Sequence, residues 1–207
     1  MKLLFCNISW MEYYKGITEK DKPINGGSFV TKTGMANEDL NFCPIEMEDG
    51  NEYCFGFVET KSTNRKDKNQ LHIENIDGCK HLRDADSVDD VLVIFCALAP
   101  FRRDYTCIVG WYAHATVYRY YQEFNLDDND SRVYNILARC NDVVLLPHST
   151  RVSNRPLWMA PRNKGQHFGF GQSEVWYATD DKIYKDAYLN RIINQIQNYN
   201  GDNWLYK

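Results

Sequence analysis

The sequence lacks any strong excess of charge of one sign. Lys and Arg number 24 and Asp and Glu number 28 among 207 residues, which gives a net charge of −4 at pH 7. A protein that coats nucleic acid by bulk electrostatics is strongly basic, so the composition excludes that class. A polyanionic partner would have to meet a local basic patch.

Long apolar runs and paired cysteine motifs are also missing. No run reaches the roughly 20 residues of a membrane-spanning helix. Polar Asn7 and Ser9 interrupt the short apolar start, so we expect neither a signal peptide nor a membrane partner. The seven cysteines are scattered and form no C-x-x-C pair. This usage is typical of a reducing compartment, and we expect a cytoplasmic protein.

The common catalytic and metal-binding motifs do not occur in the sequence. The five histidines show no paired spacing such as H-E-x-x-H, and no serine lies in a nucleophile-elbow pattern. The Gly-rich stretch PRNKGQHFGFGQSEVWYA, residues 161–178, lacks the G-K-[ST] ending of a P-loop. We therefore expect no cofactor and no resident metal. The stretch indicates either a glycine-laced hairpin or a loop that contacts phosphate.

Short apolar segments between turn signals predict the strands. We expect them at Lys2 to Ile8, at residues 53–61, and in the runs VLVIFCALAP and CIVGWYAHATVY, the last with a bend at Gly110. Weaker patterns predict a short strand in LHIENI and a short helix followed by a strand in YNILARCNDVVLLP.

One helix has a clear period. Leu189, Ile192, Ile193 and Ile196 recur at helical spacing and predict a C-terminal amphipathic helix. We expect one α+β domain over residues 1–207, built on a small, strongly curved mixed sheet or barrel with a few flanking helices.

A short acidic pattern raises a nuclease as an alternative. Glu59 and Lys61 form an E-x-K motif on a predicted strand, and Asp49 lies upstream of it. In metal-dependent nucleases two such carboxylates hold Mg²⁺ and the lysine helps to position the attacking water. Because the motif contains only common residue types, an ordinary charged strand end is the favoured interpretation.

Aromatic residues are the most biased feature of the chain, at 14% of its residues. A single Trp or Tyr more often belongs to a core than to a binding site. Here, however, Trp10, Trp111, Trp158 and Trp176 all stand beside turn signals or polar residues. An aromatic wall binds a base by stacking, at about 1–3 kcal/mol per base. The basic residues expected to contact phosphate are Arg102, Arg103, Arg119, Arg151, Arg155, Arg162 and Lys164.

Three segments carry a resemblance to a known family. The run IVGWYAHATVYRYYQ resembles the G-W-Y-x-x-A-T-V-Y-R signature of a little-characterised bacterial family, whose members also resemble the chain at NISWMEYYKG and GQSEVWYA. More distantly, an apolar strand, a short turn and a strand opening I-V-G-W resemble the EVE and YTH domains of the PUA-like superfamily. Those small curved-sheet domains flip a modified base into an aromatic pocket.

The resemblance implies a PUA-like reader of a modified base in nucleic acid, with DNA the preferred substrate and defence against foreign DNA the setting. No catalysis is required of such a module. Trp10, Trp111 and Trp176 would line the pocket, and Asn7 and His114 would supply polar contacts to the base edge. In that case Trp111→Ala removes binding without unfolding the chain.

Two alternatives to the reader stay open. One is the metal-dependent nuclease that uses Asp49, Glu59 and Lys61 with Mg²⁺. The other is a protein-interaction domain whose aromatic surface meets a partner effector protein.

Overall fold

A mixed eight-stranded sheet organises the chain in the computed structural model. The structure describes residues 1–25, 37–60, 69–100, 105–127, 130–153, 155–162, 164, 167–180 and 183–207. The strands are β1 (Lys2–Ile8), β2 (Ile45–Glu46), β3 (Glu52–Gly56), β4 (Ser87–Leu98), β5 (Thr106–Asp127), β6 (Asp130–Arg139), β7 (Val143–Leu145) and β8 (Val175–Trp176).

The strand order is β2-β3-β6-β5-β4-β1-β8, and β7 pairs with β5 outside this path. β1 and β4 are parallel, whereas the other pairs are antiparallel. Within the described residues the edge strands β2 and β8 do not pair with each other, so the sheet is open. The predicted α+β class with a mixed sheet is confirmed, and the structure does not show a closed barrel.

Both faces of β1 are buried. Because side chains alternate along a strand, Leu4 and Cys6 belong to the core on one face and Leu3 and Phe5 to the core on the other. This explains the continuous apolar run at the start of the chain, which is typical of a strand covered on both sides.

Gly110 lies where β5 changes register. Phe95 of β4 is opposite Gly110, but the next residue, Cys96, is opposite Ile108. A Cβ atom on Gly110 would lie 2.3 Å from the carbonyl oxygen of Val144 on β7. Glycine is therefore needed for β7 to approach β5, and a register shift of the β4–β5 pair falls at the glycine where a bend was predicted.

The helices are short except at the C-terminal end. They are α1 (His148–Ser153), α2 (Arg155–Trp158) and α3 (Lys185–Gln197), with 3-10 turns at Asn37–Leu40, Ile73–Asn75, Cys140–Asp142 and Trp204–Tyr206. α3 buries Tyr188, Ile192 and Ile196 on one face, which confirms the predicted amphipathic helix. Among the described residues, no helix has both the length and the apolar character needed to cross a membrane.

Two weaker predictions are wrong. LHIENI contains a 3-10 turn at Ile73–Asn75 rather than a strand, and it buries Ile73 and Ile76 at the spacing of three that such a turn allows. The start of YNILARCNDVVLLP is not a helix but the end of β6, which pairs with β5 on one side and β3 on the other. Pairing on both edges overrides the helical preference of Leu and Ala there.

Candidate functional site

A polar cleft lies at the carboxyl ends of the parallel strands β1 and β4. Its volume is about 150 Å³, and Asn7, Ile8 and Ser9 line it from the end of β1. Asn25 also lines it and donates hydrogen bonds from Nδ2 to the carbonyl oxygens of Leu98 (3.2 Å) and Ala99 (3.4 Å), where β4 ends. The carboxyl edge of parallel strands is a common place for ligand binding.

Three carboxylates surround this cleft, each from a different part of the chain. Glu38 belongs to the first 3-10 turn, Glu59 follows β3, and Glu174 precedes β8. Burial, with a smaller contribution from the neighbouring carboxylates of Glu59, Glu174 and Asp39, raises the pKa of Glu38 from 4.5 to about 7. The cleft therefore holds a carboxyl group that exchanges its proton near neutral pH beside other acidic groups.

Asn7 connects the cleft to its surroundings. Its Nδ2 donates to Glu174 Oε2 at 2.6 Å, and its Oδ1 accepts from Arg162 Nη2 at 3.0 Å. Arg162 Nε donates to Thr106 Oγ1 at 2.8 Å, and its guanidinium lies 5.7 Å from the centre of the Phe170 ring. Arg162, predicted to contact phosphate, is thus used to orient Asn7.

Ser9 supplies an unsatisfied polar group. The residue is 2% exposed, and in the described part of the chain its hydroxyl has no hydrogen-bond partner. The Ser9 carbonyl oxygen, in contrast, accepts from the hydroxyl of Tyr14 at 2.9 Å. A buried hydroxyl without a partner is costly, and this one belongs to a residue that lines the polar cleft.

Glu59 is held at the cleft by side-chain amides rather than by a strand ladder. Asn41 bonds both the N–H (2.8 Å) and the carbonyl oxygen (3.0 Å) of Phe57, and Asn135 bonds both groups of Val58 at 3.0 Å. The predicted strand over residues 53–61 is therefore shorter, and β3 ends at Gly56. Beyond Gly56 these amides satisfy the backbone groups that a neighbouring strand would otherwise pair.

The three predicted pocket tryptophans do not share a cavity. Trp10, 3% exposed, belongs to the core on one face of the sheet and lies 5.6 Å from His148 in an edge contact. Trp111 and Trp176 belong to the core on the other face. Trp111, 4% exposed, stacks on Trp158 with ring centres 5.6 Å apart.

Trp176 packs on Phe5, with ring centres 4.7 Å apart, and its indole N–H donates to Asp180. His114 is exposed. Its Nδ1 is 2.7 Å from Asp90 Oδ1, and this hydrogen bond raises the pKa of His114 and lowers that of Asp90. Of the five predicted pocket residues, only Asn7 lines the cleft.

Two of the arginines predicted to contact phosphate are instead internal. Arg119 pairs with Glu74 at 2.8 Å and donates to the carbonyl oxygens of Leu82 and Ala85. Arg151 is 0% exposed and donates to three backbone carbonyl oxygens, those of Leu146, Met11 and Glu12. Their guanidinium groups stabilise loops and are not available to a ligand.

The remaining basic candidates are partly outside the described residues. Lys164 is exposed, and Arg155 begins α2. Lys61, Arg102 and Arg103 lie outside the described residues.

The carboxylate pair of the nuclease alternative is not formed. Asp49 lies in the turn between β2 and β3, where it accepts hydrogen bonds from the Asn51 N–H (3.0 Å) and the Tyr53 hydroxyl (2.8 Å). Glu59 lies beyond the opposite end of β3 and lines the cleft, whereas Asp49 lines a separate groove. In the ranges described above, no group of three or more His, Cys, Asp or Glu side chains is arranged to hold a metal ion.

Sequence reasoning missed four polar residues of the cleft: Ser9, Asn25, Glu38 and Glu174. The sequence offered a signal for Ser9 and Glu174, because they lie in the segments NISWMEYYKG and GQSEVWYA on which the suggested resemblance rests. Glu38 follows no motif, and only the folded chain brings it beside the end of β1.

Comparisons with protein-family models, with curated proteins and with solved structures return no match to the chain.

Proposed function

We propose that the protein is a binding module that reads a modified base of DNA, and that the flipped base enters the cleft at the end of β1 rather than a tryptophan pocket. The observation that carries the proposal is the set of amide and carboxylate groups from Asn7, Asn25 and three glutamates around one small cleft, beside a buried Ser9 hydroxyl that has no partner among the described residues. The cleft volume of about 150 Å³ suits one planar heterocycle.

The lining favours a base that presents an amino group. Carboxylates of Glu38, Glu59 and Glu174 are hydrogen-bond acceptors, and Glu and Asp accept from the exocyclic amine of cytosine. The Asn7 amide is already committed to Glu174 and Arg162, so it orients a carboxylate rather than reading the base itself. Cytosine carrying a hydroxymethyl group offers a second donor and acceptor, which the Ser9 hydroxyl would meet by rotating toward the cleft.

An acidic cleft is compatible with a DNA partner because flipping separates the base from its phosphates. Only the base would enter the cleft, while the phosphates would stay outside it, where the exposed Lys164 is one of the predicted phosphate contacts. Arg102 and Arg103 remain predicted phosphate contacts. The resemblance of the IVGW segment to EVE and YTH domains supports this use of a PUA-like fold.

The proposed setting is the cytoplasm, as the cysteine usage predicts. All seven cysteines are unpaired thiols in the structure. Thiols of this kind are typical of proteins from reducing compartments.

The test is a binding titration against matched duplexes at fixed salt with Mg²⁺ present. The duplexes are unmodified, or carry methylated adenine or methylated, hydroxymethylated or glucosylated cytosine, and the products are run on a gel. We expect selective binding of a modified cytosine duplex without cleavage. Equal affinity for all duplexes, or no binding, contradicts the reader, and Mg²⁺-dependent cleavage would favour an enzyme.

A pair of variants locates the site. Glu59→Gln exchanges one acceptor of the cleft for an amide and should weaken binding of the preferred duplex by about tenfold, the effect of losing one good base contact. Glu46→Gln, on an exposed residue of a different groove, is the matched control and should leave affinity unchanged. Equal affinities of the two variants would remove the cleft from the proposal.

A further inference from the structure

A second concave surface lies between the β2–β3 hairpin and the strands β5 and β6. We call it the acidic aromatic groove and define it by Glu46, Glu48, Asp49, Phe55, Phe124 and Tyr134. Its volume is about 570 Å³. It does not include any residue of the cleft at the end of β1.

The floor of the groove is aromatic. Phe55 is 5% exposed and stacks on Phe124 with ring centres 4.8 Å apart and an interplanar angle of 12°. Tyr134 meets Phe55 edge-on, with ring centres 5.0 Å apart. Phe124 and Tyr134 are only partly buried, so a ligand can reach their rings.

The rim of the groove is acidic, and Arg139 lies close enough to interact with only one of its carboxylates, that of Asp49. Glu46, Glu48 and Asp49 have exposed side chains. Hydrogen bonds from Asn51 and Tyr53 lower the pKa of Asp49, which keeps its carboxylate charged at neutral pH. In the part of the chain that the structure describes, the carboxylates of Glu46 and Glu48 make no hydrogen bond or ion pair.

The same surface already holds a cation against an aromatic ring. The guanidinium of Arg139 lies 6.0 Å from the centre of the Tyr53 ring, next to the Asp49 carboxylate that accepts from the Tyr53 hydroxyl. A ring face beside a carboxylate attracts a positively charged side chain by both cation–π and Coulomb interactions. The groove offers this combination over a larger area.

The groove also borders an open edge of the sheet. β2 is the terminal strand, pairs only with β3 among the described strands, and supplies Glu46 to the rim. An extended peptide can add to such an edge through its main chain while alternate side chains enter neighbouring pockets. Because β2 is two residues long, side-chain contacts must supply most of the binding energy.

We propose that the acidic aromatic groove docks a basic, extended segment of a partner protein. A Lys or Arg head group of that segment lies between the carboxylates of Glu46, Glu48 and Asp49, and its aliphatic stem and an apolar neighbour cover Phe124 and Tyr134. Charge complementarity selects this occupant, since three exposed carboxylates repel nucleic acid and anionic lipid surfaces. The docking does not depend on the base-reading proposal, because the two sites share no residue.

The test uses a labelled peptide in which lysine alternates with valine, and measures fluorescence anisotropy against the full chain. Saturable binding that weakens with salt is expected, and a counterpart with glutamate in place of lysine should not bind. The double variant Glu46→Lys with Glu48→Lys should weaken binding by at least about tenfold.

A matched control separates the groove from bulk charge. Glu19→Lys with Asp77→Lys makes the same change in net charge at exposed positions outside the groove and should change affinity by less than about twofold. Phe124→Ala should also weaken binding, with a thermal melt to show that the variant is folded. The proposal is overturned by absent saturable binding, by equal effects of the two charge-reversal pairs, or by equal binding of the glutamate peptide.

Discussion

The side-chain amide of Asn7 donates a hydrogen bond of 2.6 Å to Glu174 Oε2, which joins the first strand of the sheet to a residue 167 positions later. The backbone repeats the connection, since the Asn7 N–H donates to the Glu174 carbonyl oxygen at 2.7 Å. With the Asn7 oxygen occupied by Arg162, the orientation of the amide is fixed. Asn7 thus holds the Glu174 carboxylate in the wall of the cleft and restricts the rotation of that carboxylate.

Glu38 should make the stability of the protein depend on pH. Its pKa is raised from 4.5 to about 7, so between these values the folded chain binds a proton that the unfolded chain has released. The free energy of unfolding therefore decreases as the pH rises through this range. Glu38→Gln removes this effect. As the pH rises from 4.5 to 8, the free energy of unfolding of the variant should increase by about 1–3 kcal/mol relative to that of the parent.

Chemical denaturation of parent and variant across that pH range measures the difference. Glu19→Gln, on an exposed side chain, is the control for loss of one carboxylate. If the stability difference between the Glu38→Gln variant and the parent does not change with pH, the pKa of Glu38 is not raised in the folded state.

Trp111→Ala should unfold or strongly destabilise the chain, which reverses the expectation from sequence. The indole is 4% exposed and packs between Trp158 and Tyr199, with ring centres 5.6 Å and 5.3 Å away. Truncating a buried Trp to Ala costs about 3–5 kcal/mol. Near-ultraviolet circular dichroism and urea unfolding are the measurements, and Trp111→Phe, which keeps a ring there, should lose less. A stable, fully folded Trp111→Ala variant would restore the tryptophan to a binding role.

Arg151→Met should be destabilising for a different reason. The substitution leaves the carbonyl oxygens of Met11, Glu12 and Leu146 without their donor inside the protein. Buried acceptors without partners cost about 1–3 kcal/mol each when water does not reach them, so a total loss of about 3–5 kcal/mol is expected. Urea unfolding measures it against Lys164→Met, an exposed control that should stay within about 0.5 kcal/mol of the parent. Equal stability of the two variants would mean that Arg151 is not a structural residue.

Strong local patterns allowed the main elements to be predicted. β1, β4, β5 and α3 each carry an apolar run or a helical period long enough to define the element, and each is present. β6 was missed in part because its residues have mixed preferences, and pairing with two neighbours decides their conformation. Such long-range pairing is not visible in a single sequence.

The cleft could not be predicted as a whole because its residues come together only on folding. The aromatic bias drew attention to Trp10, Trp111 and Trp176, but large rings near strands fill the two cores here. The arginines misled for a related reason: Arg119 and Arg151 are charged, yet they satisfy buried backbone carbonyls. Composition shows that such side chains are present and not which groups they meet.

Asn135→Leu should loosen the segment that positions Glu59 and leave the rest of the fold intact. The Asn135 side chain bonds both the N–H and the carbonyl oxygen of Val58, one residue before Glu59, and it is 0% exposed. Leu has a similar volume but leaves both backbone groups unpaired, so we expect a loss of about 1–3 kcal/mol and faster hydrogen exchange at the Val58 amide. The amides of β3, which ends at Gly56, should stay protected from hydrogen exchange. Binding of the preferred duplex should become weaker as exchange at Val58 becomes faster. Uniformly faster exchange across β3 and β6 would show instead that Asn135 supports the whole sheet, and unchanged exchange at Val58 would show that the amide does not hold Glu59 in place.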